Sequence, residues 1–248
     1  LTRPTPDDVR SSRYDNEAPG PLQHKLVICS SPRTSSKRLA RLLLAAGIGV
    51  PMEYFNERSV RTLAARWGVA LPAYLETLYR RRVVNGVFAL TVQHHQVRAW
   101  QYPADVASLF ADAATVYLTR SDRDALAASL AACMLTDNWG FDGSTSQRVF
   151  TRRQLQQAAR RAIDFLDLER RHWDERFRDA GRDTLRLTDE QVIADPVAAV
   201  RAVADQLAVS FDAEGLGRMV EVDKGPYAVD RELKSQLLPL VREFRSRA

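Results

Sequence analysis

The chain of 248 residues is long enough for one large domain or two small ones with a buried core. Hydrophobic residues make up 45% of it and charged residues 27%, which is typical of a globular protein and excludes a mostly disordered chain. The net charge of +5 suits an anionic ligand but is too small for a general nucleic-acid binder. We therefore expect no nucleic-acid partner.

Residues 1–24 contain four prolines among scattered charges, which predicts an N-terminal arm or linker ahead of a main domain over 25–248. Within that domain, short apolar runs predict strands at 25–29, 86–92, 114–119 and 184–188. Helical periodicity predicts helices at 37–47, near 103–111, at 122–135, over 152–179 and from Pro196. Strands that alternate with helices favour an α/β fold, a single domain with a mainly parallel sheet flanked by helices.

The two cysteines and the lengths of the apolar runs indicate the cellular compartment of the protein. Cys29 and Cys133 lie far apart without metal-ligand spacing, which favours two buried thiols in a reducing compartment. No apolar run approaches the roughly 18–20 residues of a membrane helix, and 1–24 lack the apolar stretch of a signal peptide. We therefore expect a cytoplasmic protein with no membrane span.

The polar loop SSPRTSSKR after the first strand is the first candidate site. Where the first strand of a parallel sheet leads into a helix, backbone N–H groups and the helix dipole attract anions. Arg33 offers a planar guanidinium, Thr34, Ser35 and Ser36 offer hydroxyls, and Lys37 offers an ammonium group. These groups suit a phosphate or a sulfate. The alternative is an ordinary helix cap with solvated cations.

A P-loop-like kinase is a rival interpretation of the same loop, because Lys37 can be aligned with the lysine of G-x-x-x-x-G-K-[ST]. Ser31 and Ser36 then stand where the two glycines belong, and Arg38 stands where a hydroxyl residue would hold magnesium. A cation at that place repels Mg²⁺. The sequence therefore favours a group transfer that uses no metal.

Three segments in this order resemble bacterial sulfotransferases, and most closely the trehalose sulfotransferase family. The first is LVICSSPRTSSKRLARLLLAAGIGVPMEYFN, and the third is RLTDEQVIADPVAAVRAVADQLAV. The second, VYLTRSDRDALAAS, has Arg120 at the end of a strand and Ser129 nine residues later, as in the element that holds the 3′-phosphate of the donor. The resemblance covers about residues 25–245. It implies a P-loop-like sulfotransferase fold and a homodimer.

The resemblance also implies a donor, 3′-phosphoadenosine-5′-phosphosulfate (PAPS), which becomes adenosine 3′,5′-bisphosphate. Its sulfuryl group would pass to a hydroxyl of a carbohydrate, glycolipid or similar metabolite. In VDKGPY, Lys224 and Gly225 resemble a late loop that closes over the 3′-phosphate, although a turn with an exposed lysine is an equal alternative. The residues that the family pattern assigns to the donor are Arg33, Thr34, Ser35, Ser36, Lys37, Arg120, Ser129, Lys224 and Gly225.

For catalysis, the resemblance implies that Glu53 in GVPMEYFN is the general base, while Arg33 and Lys37 neutralise the leaving phosphate. Glu53 as a solvated loop acid is the alternative. His94 and His95 are rivals for the role of base, because an imidazole titrates near neutral pH. For the acceptor, Trp139 and Phe141 could stack on a sugar ring, or else pack within their own loop.

Three positions depart from the family pattern. A glycine is usual where Ser35 stands, a threonine where Lys37 stands, and a lysine near Thr91. We expect Lys37 to substitute for the missing cation. If it does not, the alternative is a catalytically drifted relative that binds a nucleotide or an acidic partner.

Overall fold

A five-stranded sheet organises the computed structural model, which describes residues 9–18, 20–99, 108–139, 148–180, 183–222 and 231–247. The strands lie in the order β2-β3-β1-β4-β5, with β1, β3, β4 and β5 parallel and β2 antiparallel to β3. This confirms the predicted, mainly parallel sheet. The strands are β1 (His24–Ser30), β2 (Val83–Val84), β3 (Val87–Gln93), β4 (Ala113–Thr119) and β5 (Thr184–Thr188).

Helices flank the sheet on both sides. They are α1 (Ser36–Ala45), α2 (Glu57–Trp67), α3 (Tyr74–Arg81), α4 (His94–Ala99), α5 (Arg123–Thr136), α6 (Arg152–Ala180), α7 (Asp189–Ala194), α8 (Pro196–Leu207), α9 (Ala213–Val222) and α10 (Arg231–Arg245). The predicted helix near 103–111 lies largely outside the described residues. Among the helices described, none is both long and apolar enough to cross a membrane.

The alternation of side chains along β1 divides the core into two layers. Leu26 and Ile28 face one side of the sheet, where they pack against α1, α8 and α9. Val27 and Cys29 face the other side, where α2, α3 and the last third of α6 cover them. A central strand with both faces buried needs the continuous apolar run that 26–29 supplies.

A third apolar cluster lies between α5, the first half of α6 and α10. In α6, the residues of the predicted stripe are all buried, namely Leu155, Ala159, Ala162, Leu166, Trp173 and Phe177. This packing places α10, at the end of the chain, beside α5. It therefore brings the C-terminal helix to the same end of the sheet as the loop after β4.

Part of the segment predicted as an N-terminal arm packs against the domain. Asp15 forms a 2.8 Å ion pair with Arg82, whose side chain is completely buried. The indole of Trp67 donates a hydrogen bond to the same carboxylate, and Arg82 donates to the backbone oxygen of Ser11. Because a buried guanidinium needs a partner, these contacts hold residues 11–15 against α2 and α3.

Candidate functional site

A cavity of about 550 Å³ opens where β1, β3 and β4 end, and the loop between β1 and α1 forms part of its wall. The carboxyl ends of parallel strands meet at one edge of the sheet, which is where open α/β folds bind ligands. Residues from segments that are far apart in the sequence meet here. The residues singled out from the sequence that line it are Arg33, Ser35, Ser36, Lys37, Glu53, His95, Arg120, Ser129 and Trp139.

The β1–α1 loop has a backbone that usually needs glycine. Arg33 and Ser35 adopt φ angles of +70° and +56°, in the left-handed region. Ser35 precedes α1, and its side chain makes no capping hydrogen bond to the helix. The hydroxyl of Thr34, which the sequence assigned to the sulfate donor, instead donates a hydrogen bond to the carbonyl of Ser31 within the loop, at 2.8 Å. The loop thus keeps a glycine-like conformation without a glycine.

This conformation predicts how Ser35 tolerates substitution. Ser35→Gly should leave the free energy of unfolding unchanged or raised, because glycine enters the left-handed region without steric cost. Ser35→Val should lower it by about 1–2 kcal/mol, since a β-branched side chain clashes there. Urea unfolding followed by circular dichroism measures both changes. Equal destabilisation by glycine and valine would contradict the left-handed assignment.

Arg33 joins the loop to helix α5. Its Nε donates a hydrogen bond to the hydroxyl of Ser129 at 3.3 Å, across 96 positions of the sequence. Ser129 is buried at 2% exposure. Because a hydroxyl that accepts one hydrogen bond can still donate its own proton, Ser129 remains able to contact an anion. The first loop and the middle of α5, which both belong to the predicted donor site, therefore lie side by side.

Arg120 is paired at the end of β4 with a carboxylate from the helix that follows the neighbouring strand. Its Nε lies 3.7 Å from Asp189, which is 5% exposed at the start of α7. The next turn is fixed by Glu190, whose carboxylate accepts the backbone N–H groups of Ser121 and Asp122. Although desolvation raises the pKa of Glu190, these hydrogen bonds outweigh it and lower the pKa overall.

Lys234 lines the same cavity and was not identified as a site residue from the sequence. It comes from α10, which reaches the cavity by packing on α5. Burial lowers the pKa of Lys234, and the positive charges of Arg33 and Arg120 lower it further. Its only sequence signal was that the chain has just four lysines. A lysine whose pKa is lowered by nearby guanidinium groups lies where a bound anion would offset the repulsion between the cations.

Glu53 reaches the cavity on a buried segment that follows α1. Gly49 adopts a φ of +67°, and a Cβ there would lie 2.7 Å from that of Ala89, so only glycine lets this segment approach β3. Thr91 fastens the segment, because its hydroxyl donates to the carbonyl of Pro51 at 3.1 Å and its N–H donates to that of Met52. Thr91 is buried and does not line the cavity. The position where the family usually has a lysine therefore supports Glu53 instead.

The Glu53 carboxylate is oriented by a glutamine that the sequence did not single out. Gln96 Nε2 donates to Glu53 Oε2 at 3.2 Å, while its own Oε1 accepts the backbone N–H of Gln93 at 3.1 Å. The second bond assigns the amide, because an N–H can only donate and must meet the oxygen. One oxygen of Glu53 thus has a fixed partner at the cavity wall.

The two histidines occupy different environments. His95 lines the cavity, and its side chain is 45% exposed. His94 stacks on His172 with 4.2 Å between ring centroids and meets the edge of Trp173, outside the lining of the cavity. Burial, together with the neighbouring His172, lowers the pKa of His94 to about 4. Of the two predicted rivals of Glu53, only His95 lies at this cavity.

Charge is distributed unevenly over the lining. Five cationic side chains, Arg33, Lys37, Arg38, Arg120 and Lys234, share it with two carboxylates, Glu53 and Asp189. Such an excess of positive charge attracts multivalent anions. Within the described ranges, no group of three or more acidic, histidine or cysteine residues could hold a metal ion. Cys29 and Cys133 are buried free thiols.

Three residues proposed from the sequence fall outside the described residues: Lys224 and Gly225, predicted to cover the 3′-phosphate, and the aromatic Phe141. Trp139, which precedes Phe141 in the same predicted loop, lies at the cavity with 43% of its surface exposed. Met134 and Phe165 also line the cavity, so its lining includes three large apolar side chains.

The fold, with a cavity at the carboxyl ends of its parallel strands, is similar to that of a known sulfotransferase. The structure is similar to that of sulfotransferase STF9 from Mycobacterium avium, with a TM-score of 0.50 and 14% identity over 92% of this chain and 78% of that chain. The sulfotransferase domain of the Synechococcus PCC 7002 olefin synthase matches with a TM-score of 0.42 and 16% identity, over 93% of this chain and 96% of that one. Among curated proteins, none matches significantly.

The sequence profile of the Stf0 sulphotransferase family matches residues 25–220, and the chain belongs to this family. The match covers most of the chain and includes the β1–α1 loop, Glu53, Arg120 and Ser129. The resemblance to bacterial sulfotransferases is thereby confirmed, as is the predicted α/β sulfotransferase fold.

Proposed function

We propose that the chain transfers a sulfuryl group from PAPS to a hydroxyl of a carbohydrate, glycolipid or similar metabolite. The observation that supports this most is one cavity that is lined by two kinds of group. Cations come from the β1–α1 loop, the end of β4 and α10, and a carboxylate comes from Glu53. An anionic donor and a hydroxyl acceptor need these two kinds of group in one place.

The donor would lie along the cationic side of the cavity. Its phosphosulfate suits the N-terminus of α1, where Arg33, Lys37 and the hydroxyl of Ser36 lie. Its 3′-phosphate suits Arg120 and Ser129, and we add Lys234 to the groups that neutralise it. Lys224 and Gly225 stay predictions for the same phosphate.

The transfer itself is an in-line displacement at sulfur. The acceptor oxygen attacks the sulfur while the bond from sulfur to the 5′-phosphate oxygen breaks, which leaves a sulfate ester and adenosine 3′,5′-bisphosphate. The proton of the acceptor hydroxyl passes to Glu53. Arg33 and Lys37 stabilise the negative charge that develops on the leaving phosphate, so their positions serve both binding and catalysis.

Lys234→Met should have opposite effects on stability and on binding. In the free protein it removes a buried cation that Arg33 and Arg120 repel, so the Tm should rise. Affinity for adenosine 3′,5′-bisphosphate should fall about tenfold, because a charge-assisted contact is lost. Lys25→Met is the control, because that ammonium lies over the ring of Tyr79 and not at the cavity.

The same lysine predicts a pH dependence of nucleotide binding. Only the ammonium form attracts phosphate, and the pKa of Lys234 lies below its ordinary value in the free protein. Affinity should therefore fall as the pH rises through that lowered pKa, and this fall should be smaller in Lys234→Met. Calorimetric titration between neutral and alkaline pH measures it. An identical pH profile in both proteins would remove Lys234 from the donor site.

The proposed function is tested by titrating the protein with adenosine 3′,5′-bisphosphate and, as a matched control, adenosine 5′-monophosphate. We expect saturable binding that is much weaker without the 3′-phosphate. Transfer from PAPS to a panel of sugars should continue in excess EDTA, because the loop cations take the place of a metal. A preference for ATP with a magnesium requirement would favour the kinase interpretation and contradict the proposal.

A drifted relative that binds the nucleotide without transferring sulfate is the second candidate. It is favoured by Thr91, whose side chain binds Pro51 and leaves no cation at the end of β3. Binding of adenosine 3′,5′-bisphosphate with no transfer to any sugar would support it. A homodimer and a cytoplasmic location, both expected from the sequence, stay predictions.

A further inference from the structure

Glu169 is a buried carboxylate that the proposed transfer does not use. It is 3% exposed and lies within the apolar stripe of α6, between Leu166 and Trp173. A carboxylate in such surroundings needs several hydrogen bonds to offset its lost hydration. Its position therefore calls for specific partners.

Those partners are all at the start of α4. The backbone N–H of His94 donates to Glu169 Oε2 at 2.9 Å, and that of His95 donates to Oε1 at 2.6 Å. The ring Nδ1 of His95 lies 3.3 Å from the same Oε1. Glu169 thus caps α4 from another helix and holds the imidazole of His95 at the same time.

This arrangement assigns the tautomer of His95. A carboxylate accepts hydrogen bonds and cannot donate them, so Nδ1 must carry the proton. In the neutral ring Nε2 is then a hydrogen-bond acceptor. The two ring nitrogens point in diverging directions, so the part of the ring turned away from Glu169 carries Nε2. Phe165, one turn earlier in α6, packs against the imidazole of His95 with 5.3 Å between the ring centroids, and it restricts the rotation of that ring.

His95 and Glu53 bring two hydrogen-bond acceptors to the same cavity. Both line it, and Gln96, the neighbour of His95, donates to Glu53. The hydroxyl that reacts has one proton, which goes to Glu53 in the proposed transfer. The Nε2 atom of His95 is therefore available to accept a hydrogen bond from a second hydroxyl of the same substrate.

We propose that His95, oriented by Glu169, is a specificity-determining residue that accepts a hydrogen bond from a second hydroxyl of the acceptor, beside the hydroxyl that reacts. This rests on the proposed function, because it takes Glu53 as the group that receives the reacting proton. Glu169 is a positioning residue, which acts through the imidazole of His95. A substrate that lacks the second hydroxyl still displaces water from Nε2 but gives it no hydrogen-bond partner, so this substrate should bind more weakly.

The first experiment needs no turnover. The chain has four histidines, so ¹⁵N NMR of imidazole-labelled protein resolves them, and His95→Gln assigns the signal of His95. We expect a protonated Nδ1 and an unprotonated Nε2 on His95 at neutral pH, with the opposite tautomer gaining population in Glu169→Gln. A wild-type His95 protonated at Nε2 alone overturns the proposal, whether or not the protein transfers sulfate.

The second experiment uses methyl α-D-glucopyranoside and its singly deoxygenated forms as acceptors with PAPS. One deoxy form should show a KM at least about tenfold higher with kcat nearly unchanged. His95→Phe keeps a ring against Phe165. In this variant the KM of the complete sugar should rise to the value that the deoxy form has with the wild type, and the KM of the deoxy form should not rise further. His95→Gln, whose amide oxygen can accept, should restore part of the loss.

Two outcomes of the second experiment overturn the proposal. In the first, His95→Phe lowers kcat and leaves KM unchanged, which would make His95 the base. In the second, every deoxy form that still reacts has the KM of the complete sugar. A protein that binds no adenosine 3′,5′-bisphosphate contradicts the proposed function instead, and the NMR measurement then still decides the tautomer of His95.

Discussion

Glu53→Gln should lower kcat about 10²–10⁴-fold while the affinity for adenosine 3′,5′-bisphosphate stays unchanged. The substitution keeps the size of the side chain and a hydrogen-bonding partner for Gln96, but removes the basicity of the carboxylate. The cationic residues assigned to the donor are not altered. We therefore expect the loss to be confined to the chemical step, as measured in the initial rate of sulfate transfer at saturating donor.

Glu57→Gln is the matched control for this prediction. Glu57 lies four residues further on, at the start of α2, and its exposed carboxylate pairs with Arg61 away from the cavity. The same chemical change there should leave kcat unaffected. If Glu53→Gln also has no effect, Glu53 is a structural acid and the base lies elsewhere. A loss of kcat found in His95→Ala but not in Glu53→Gln would transfer the role to His95.

Arg120→Ala and Arg33→Ala should each weaken binding of adenosine 3′,5′-bisphosphate about tenfold to a hundredfold. Each removes a charge-assisted contact to an anionic group, typically worth about 1.5–3 kcal/mol. Arg120→Ala should have the larger effect, because it also leaves Asp189 without its ion-pair partner in a cavity that must accept a phosphate. Arg33→Ala in addition removes the hydrogen bond that links the loop to Ser129.

Arg123→Ala tests whether such losses are specific. Arg123 begins α5 three positions after Arg120, is exposed, and does not line the cavity of the proposed donor site. Its removal should change the affinity little. Circular dichroism should show intact folds in all three variants, although Arg120→Ala should have a lower Tm because Asp189 is buried. Unchanged affinity in both Arg33→Ala and Arg120→Ala, with folded proteins, would refute the proposed nucleotide site.

Local patterns in the sequence were enough for the four parallel strands, though not for the two-residue strand β2, and for the loop between β1 and α1. The apolar runs of β1, β3, β4 and β5 and the stripe of α6 follow from side-chain periodicity, which depends only on neighbouring residues. The rule for the first strand of a parallel sheet predicted the anion site at the loop around Arg33, whereas Arg120 was assigned to the same site by the resemblance to sulfotransferases. The strands, the helix stripe and the loop thus needed only the residues of neighbouring elements.

The tertiary structure alone decided the residues that come from distant elements. Lys234 enters the cavity because α10 packs on α5, and Glu169 meets His95 because α6 crosses the start of α4. A helical pattern shows which face is apolar but not which partner covers it, so Glu169 within the stripe gave no sign of its role. The Thr91–Pro51 hydrogen bond that carries Glu53 to the wall joins residues 40 positions apart. The sequence thus determined the four parallel strands and the helices α1, α5, α6 and α8, together with the loop that forms part of the cavity. Packing between elements decided which charged groups share the cavity, because such contacts depend on chain closure over long separations.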